Sequence, residues 1–285
     1  MSTPAGSDPI WNRRNPRRAC ASTWSASIHE GGTGGARGAR GVSPDIPVSD
    51  LMAVALARTI RDGEVVAQGV DSLLASLAIL LARATHAPSL TWITVAGGVN
   101  PAPGSLPESS ASPAWLQGTR AIFGNPEFYR LAMRGGMDRM FLGAAQIDQH
   151  LRLNLTVIGD RDRPRVRLPG GGGAAVLAQV IPHVVVWRTR HTPEIFVPKV
   201  DFVTAQGNVE AVVTPLGVLR ALDGRLVLDA RFPGVSPGEI AARTGFPVLP
   251  PGPVRVFEPT GDELRLLGDL DPGRRRELEF TRAPR

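Results

Sequence analysis

The sequence predicts an α/β fold: an open, mostly parallel sheet with flanking helices and some additional antiparallel strands. Three observations lead there. "DGEVVAQGV", "SLLASLAILLARATHAP" and "LTWITVAG" follow one another as a short apolar strand, a long apolar helix and a second strand, which is the make-up of a βαβ unit. "GGGGAAVLAQVI" then carries a glycine loop into a helix, and "HVVVWRT" follows as a buried strand. "EAVVTPLGVLRALDGRLVLDARF" reads as paired strands about an Asp223-Gly224 turn and supplies the antiparallel part.

Taken in order, residues 1–45 are rich in Gly, Ser, Pro and Arg and end near "GGTGGARGARG". No apolar period runs through them to offset the entropy of ordering, so a disordered tail is expected there and one α/β domain over 46–285. Helical spacing starts in "VSDLMAVALARTI", with Ser49 or Asp50 available as N-cap. The "SLLASLAILLA" helix is apolar nearly all round, hence buried, and stops before Pro88. "PEFYRLAMRGG" is a helix ended by glycines, "MDRMFLGAAQI" a strand, and "LRLNLTVIGD" a half-exposed antiparallel strand. Near the end, Ser236 with Glu239 and Thr260 with Glu263 read as capping boxes that open two helices.

Composition narrows the function classes. The net charge of +6 is partly local, because six arginines fall within residues 1–45, and no stripe alternates Arg with exposed aromatics. That argues against a nucleic-acid partner, while a mildly basic surface still suits an anionic substrate. A lone cysteine, Cys20, cannot form an internal disulfide, so a reducing, cytoplasmic setting is expected. The most apolar segment breaks at Arg83, too short to span a bilayer, and no membrane partner is expected.

Motifs with chemical meaning are few. "GVSPG" matches the nucleophile-elbow pattern, but Pro237 follows the serine and has no N–H for an oxyanion hole, so a helix start is the better reading. The five histidines show no metal-ligand spacing, and neither a metal nor a cofactor is expected. The loop Gly170–Gly173 ahead of a helix is either a plain turn or a cradle of N–H groups for an anion. "SLTWITVAGGVNP" is a strand running into a glycine-bearing turn, yet its tip, Thr94-Val95-Ala96-Gly97, has no group to accept a proton or attack a carbonyl.

Read together, "LARTIRDGEVVAQG", "LAILLARATHAPSLTWI", "FLGAAQIDQHLRLNLTVIGDRDRPRVRLPGGGGAA", "FVPKVDFVTAQG", "RFPGVSPGEIAARTGF" and "DELRLLGDLDP" resemble the β subunits of family I CoA-transferases, the glutaconate CoA-transferase type in particular. The resemblance runs from Leu51 to Pro272. It implies the open α/β sandwich of that superfamily, acyl-CoA as substrate with coenzyme A its leaving moiety, and a hetero-oligomer with an α subunit. In the family a β-subunit glutamate attacks the thioester and passes CoA through a glutamyl thioester to an acceptor acid. The matching loop here places Val95 at the glutamate's position, so no catalytic residue is carried over.

The turn before it has also changed, to Gln68-Gly69-Val70-Asp71-Ser72, whereas the family's Gly-Gly-Ala stretch survives in the glycine loop. The resemblance therefore assigns substrate or CoA binding to Gly69, Thr94, Gly97, Gly98, Gly171, Gly172, Gly173 and Ala174, and places His191 and Asp201 at family-like positions. CoA transfer is the family's default reaction. Thioester hydrolysis or ring opening, as in a steroid-degrading branch, and a non-catalytic scaffold are the alternatives.

Overall fold

Strand and helix alternate from the start of the computed structural model, which describes residues 46–250 and 252–281. The expected tail, residues 1–45, lies outside the described residues. Helix α1 (Val48–Ala57) leads to β1 (Val65–Gln68), α2 (Leu73–Ala84) and β2 (Thr91–Ile93), and β1 and β2 pair in parallel as the βαβ pattern requires. The chain then adds two short antiparallel strands, β3 (Gly98–Val99) and β4 (Ala121–Ile122), beyond β2. Helix α3 (Asn125–Met133) returns it to β5 (Arg139–Gly143), which pairs in parallel on the other side of β1.

"MDRMFLGAAQI" is not one strand. It breaks after Gly143 into β5 and β6 (Gln146–Ile147), and "LRLNLTVIGD" likewise splits into β7 (Leu153–Asn154) and β8 (Val157–Gly159). The cause is polar: Asn154 Nδ2 donates to Gln146 Oε1 at 2.7 Å and to the Val157 carbonyl at 2.6 Å, which ties β6 to β7 and turns the chain. β8 pairs antiparallel with β9 (Pro164–Arg167) in a separate hairpin.

Helix α4 (Ala174–Val180) then feeds β10 (His183–Trp187), parallel to β5, and β11 (Val209–Thr214) lies parallel to β10. A meander follows: β12 (Gly217–Leu222) and β13 (Arg225–Arg231) pair antiparallel about Asp223 and Gly224, both at positive φ as a two-residue hairpin demands. Helix α5 (Pro237–Ala242), β14 (Arg255–Val256), α6 (Gly261–Leu270) and α7 (Leu278–Thr281) complete the element order. Among the described residues no helix is long and apolar enough to cross a membrane.

The main sheet runs β14-β13-β12-β11-β10-β5-β1-β2-β3-β4. Its parallel strands bury both faces, which is why they read as near-continuous apolar runs. In β10, Val185 and Trp187 face the core formed with α1, α2 and α6, while Val184 and Val186 face the core formed with α3, α4 and α5. Helix α2 packs against the sheet, α1 and α6, so its apolar circumference is buried as its sequence requires.

Of the expected caps, one forms completely, one by half and one not at all: the Glu239 side chain pairs with Arg243 instead of closing a box on Ser236. Ser236 Oγ accepts from the Glu239 N–H at 3.0 Å, and Thr260 and Glu263 form a complete capping box. Neither Ser49 nor Asp50 caps α1, whose N-cap is Pro47. The Asp50 carboxylate instead takes the Nε of the buried Arg276 at 2.7 Å, a charged bond that outweighs a cap.

At the opposite, amino edge of the parallel strands sits a second buried ion cluster. Arg139, with no solvent exposure, donates to both Glu64 oxygens at 2.7 and 3.0 Å and to Glu210 at 2.9 Å, and His183 Nδ1 lies 3.0 Å from Glu210. These contacts join β5 to β10, β11 and the residue before β1.

Candidate active site

The order of the five parallel strands reverses between β1 and β5: β2 lies to one side of β1, whereas β5, β10 and β11 follow on the other. In open α/β sheets this reversal leaves a crevice beyond the carboxyl ends of the strands, where ligands bind. Gly69 follows β1 and Thr94 follows β2 at that edge. The glycine loop precedes α4, which leads down into β10, so the loop belongs to the same edge but to the sheet face covered by α3 and α4.

The Thr94–Gly98 turn is closed on itself. The Thr94 N–H donates to the Gly98 carbonyl and the Gly98 N–H to Thr94 Oγ1, both at 2.9 Å, while Thr94 Oγ1 lies 3.2 Å from the Gly98 carbonyl. The buried Thr94 hydroxyl is thus committed to the turn. Val95 and Ala96 form its half-buried tip. Both glycines have packing reasons: Gly97 is at φ +95°, and a Cβ there would lie 2.5 Å from the Phe123 carbonyl. At Gly98 it would lie 2.5 Å from Thr119 Cγ2 and 2.8 Å from the Trp115 carbonyl.

Gly69 is held by its N–H bond to the Phe141 carbonyl at 3.0 Å, and Ser110 Oγ accepts the Ser72 N–H at 3.1 Å. The N-terminus of α2, directly behind this turn, already receives a carboxylate: Glu279 Oε1 accepts the Leu73 N–H at 2.5 Å. Helix dipole and first-turn donors there serve the chain's own fold.

In the glycine loop, the Gly170 N–H donates to the Leu155 carbonyl at 2.8 Å and the Ala174 N–H to the Gly171 carbonyl at 2.7 Å, which fixes both ends. Gly170 and Gly172 have positive φ. A Cβ on Gly171 would meet Thr204 Cγ2 at 2.6 Å, and one on Gly173 would meet the Tyr129 hydroxyl at 2.5 Å. Gly172 is exposed.

His191 and Asp201 hold structure together. His191 is buried between Thr214 Oγ1 and Thr244 Oγ1, each 2.9 Å from a ring nitrogen, and stacks on Phe196. Burial, aided by the Arg243 charge, pushes its pKa down to about 4, so the ring is neutral near pH 7. Asp201 accepts from Gln146 Nε2 at 3.1 Å and from the Gly159 N–H at 2.8 Å, anchoring β8. Among the described residues no group of three or more His, Cys, Asp or Glu is placed to hold a metal ion.

Three side chains at this edge were given no role from the sequence: Gln68, which ends β1 and was noted only as part of the changed turn, Trp187 ending β10 and Arg188 after it. The available signal was a polar atom at the carboxyl end of an otherwise apolar strand, as in "VVAQ" and "HVVVWR". Burial and the positive charge of Arg190 hold the Arg188 guanidinium below its ordinary pKa, and among the described residues no acid pairs with it.

Known proteins resemble this chain in architecture and in sequence. The model of the coenzyme A transferase family matches residues 50–242. The B subunit of the 3-oxoadipate CoA-transferase of Pseudomonas knackmussii is 30% identical over 243 residues, covering 78% of this chain and 92% of that protein. The cholesterol ring-cleaving hydrolase IpdB subunit of Mycobacterium tuberculosis is 28% identical, covering 81% and 98%. Among solved structures, the decarboxylase AibA/AibB matches with a TM-score of 0.78 at 36% identity, over 84% of this chain and 100% of that one.

Proposed function

Since this chain belongs to the coenzyme A transferase family, we propose that it is the B-type half of a two-chain enzyme acting on an acyl-CoA thioester, with no covalent acyl–enzyme intermediate on its Thr94–Gly98 loop. The observation that carries this reading is the loop itself. Covalent catalysis needs an activated nucleophile within reach of the thioester carbon. This loop offers an aliphatic Val95 at its tip and a Thr94 hydroxyl bound into its own turn. An A-type partner is supported by the relatives, which are B-type subunits or belong to the AibA/AibB pair.

The reaction class that best suits such a loop is decarboxylation, the activity named for AibA/AibB. Its substrate would be a CoA thioester with a carboxylate β to the thioester carbonyl, or the vinylogue of that arrangement. The bond to the carboxylate breaks, its electron pair enters the enolate or dienolate of the thioester, CO2 leaves and a proton from water completes the carbon. No enzyme nucleophile and no cofactor is consumed. The protein's part is to bind, orient and stabilise developing negative charge.

A second reading, CoA transfer, is favoured by the 30% identity to the 3-oxoadipate CoA-transferase chain; the nucleophile would then be a carboxylate elsewhere, such as Glu108 or Asp71. Water as the acceptor would make the pair a thioester hydrolase, whereas the name of the IpdB relative denotes a hydrolase that cleaves a ring. A scaffold role would leave every reacting group on the partner.

The test is product analysis with the co-purified pair. Glutaconyl-CoA and malonyl-CoA are supplied with and without free acetate, and CO2, free CoA and acetyl-CoA are measured. CO2 release with the thioester intact supports decarboxylation. Acetate-dependent acetyl-CoA supports transfer, and free CoA without acetate supports hydrolysis. Turnover that survives replacement of this chain by an unrelated protein would end the reading.

A further inference from the structure

The two strands on either side of β5 end in buried donors without acceptors among the described residues: Gln68 Nε2 on β1 and Trp187 Nε1 on β10. Gln68 is fully buried and Trp187 is 8% exposed. The orientation of the Gln68 amide is fixed, because Trp92 Nε1 donates to its Oε1 at 2.6 Å and an indole nitrogen only donates. Nε2 therefore presents N–H groups that nothing in the described fold accepts.

Both side chains stand on the same face of the sheet. Val66, Phe141, Val185 and Trp187 share the core beneath α1 and α2, so strand alternation puts Gln68 and Gly143 on that face as well. In register, Gln68 lies opposite Phe141, and Gly143 lies opposite Trp187. Gln68 and Trp187 thus lie on either side of β5, two strand spacings across and two residues along, ~12 Å apart at their Cα atoms, with Gln68 level with Phe141 and Trp187 level with Gly143. Gly143, beside Trp187, is half-exposed, and a Cβ on it would meet nothing within 4 Å.

A buried donor left unpaired is costly and rare in native proteins, and such a group in a crevice is resolved when an acceptor enters. Because neither nitrogen contacts bulk water, its hydrogen bond to a ligand forms without displacing a hydration shell. We infer that Gln68 and Trp187 grip an oxygen acceptor of the acyl group, a carbonyl or carboxylate, in a slot over Gly143, with the flat apolar part of the acyl chain on Phe141. Arg188, the next residue after Trp187, adds positive potential at the same edge. This assignment rests on the reading of the chain as half of an acyl-CoA enzyme.

Three substitutions in the full chain, co-purified with its partner, test it. Gln68→Glu keeps the acceptor for Trp92 but replaces the N–H donors with an anionic oxygen. Trp187→Phe keeps the ring bulk and removes the N–H, and Gly143→Val fills the slot where there is room for a side chain. Affinities for free CoA, butyryl-CoA and glutaryl-CoA are measured by titration calorimetry, with thermal unfolding to establish that each variant is folded. The expected result is at least tenfold weaker thioester binding in each variant, with affinity for free CoA unchanged. Equal weakening of butyryl- and glutaryl-CoA assigns the slot to the thioester carbonyl, and weakening of glutaryl-CoA alone assigns it to a distal carboxylate. Unchanged affinity for both thioesters in folded variants overturns the slot and leaves the functional reading standing. Failure of the wild-type pair to bind any thioester overturns both.

Discussion

Replacing Arg139 with Met removes the cation that gathers the amino ends of the parallel strands. The guanidinium is fully buried and makes three close hydrogen bonds, two to Glu64 and one to Glu210. Methionine matches the aliphatic stem but leaves two carboxylates facing each other without their shared counter-charge. Removal of one partner from a buried ion pair costs about 3–5 kcal/mol. For a domain of this size each kcal/mol moves the midpoint by about 2–4 °C, so a drop of about 6–20 °C is expected.

The assay is thermal unfolding, with guanidinium chloride titration to confirm an unchanged m-value. The pH dependence provides a second readout. Burial alone would raise the Glu210 pKa, but the hydrogen bond from His183 and the charges of Arg139 and His183 outweigh it and hold it at about 2. Its contribution is therefore complete above the ordinary value of 4.5 and is lost as pH falls toward 2. Arg139→Met should shrink that loss, since Glu210 retains only His183 and the more distant, half-exposed Arg61 at 3.7 Å. A destabilisation below about 1 kcal/mol, with the acid limb of the curve unaltered, would show that the cluster is solvated and refute the reasoning.

Burial of neutral His191 has the opposite origin and the same sign. The unfolded chain takes a proton near 6.5 while the folded ring resists until about 4, so stability should decline as pH drops through that window. About 3 kcal/mol should be lost by pH 4, and His191→Gln should flatten the slope in denaturant titrations. Gly98→Ala places a methyl 2.5 Å from Thr119 Cγ2 and 2.8 Å from the Trp115 carbonyl, so the β2–β3 turn must shift. A destabilisation of about 1–3 kcal/mol is expected, and an unchanged midpoint would show that the turn yields freely. Thr260→Ala removes the capping box of α6 and should cost about 0.5–2 kcal/mol, read from the same unfolding curves.

Most of the fold was legible because its signals are local and repeated. The βαβ unit, the Asp223-Gly224 hairpin and the Ser236 and Thr260 caps each occupy one stretch of sequence and appear where the residues put them. Failures occurred where a distant partner decided the outcome. Asp50 has the chemistry of a cap, but Arg276, remote in sequence, claims its carboxylate. "MDRMFLGAAQI" reads as one strand until Gln146 and Asn154 are brought together and bend it. The candidate site divides in the same way. Glycines 69, 97, 98 and 171–173 were visible as turns, but their close neighbours, Phe141, Phe123, Thr119, Thr204 and Tyr129, come from other elements. The roles of Gln68 and Trp187 were hidden because each looks like an ordinary strand end; only the β1-β5-β10 order sets them on either side of β5.

The absence of a covalent intermediate on this chain is the central claim, and a trapping experiment tests it most directly. The co-purified pair is incubated with acyl-CoAs that it turns over, treated with borohydride or hydroxylamine, digested and analysed by peptide mass spectrometry. The account predicts turnover with the peptide around Thr94 to Gly98, and every carboxylate of this chain, unmodified. A CoA-derived or hydroxamate adduct on any carboxylate of this chain, Glu108 and Asp71 included, would contradict it and establish ordinary CoA transfer through a displaced nucleophile.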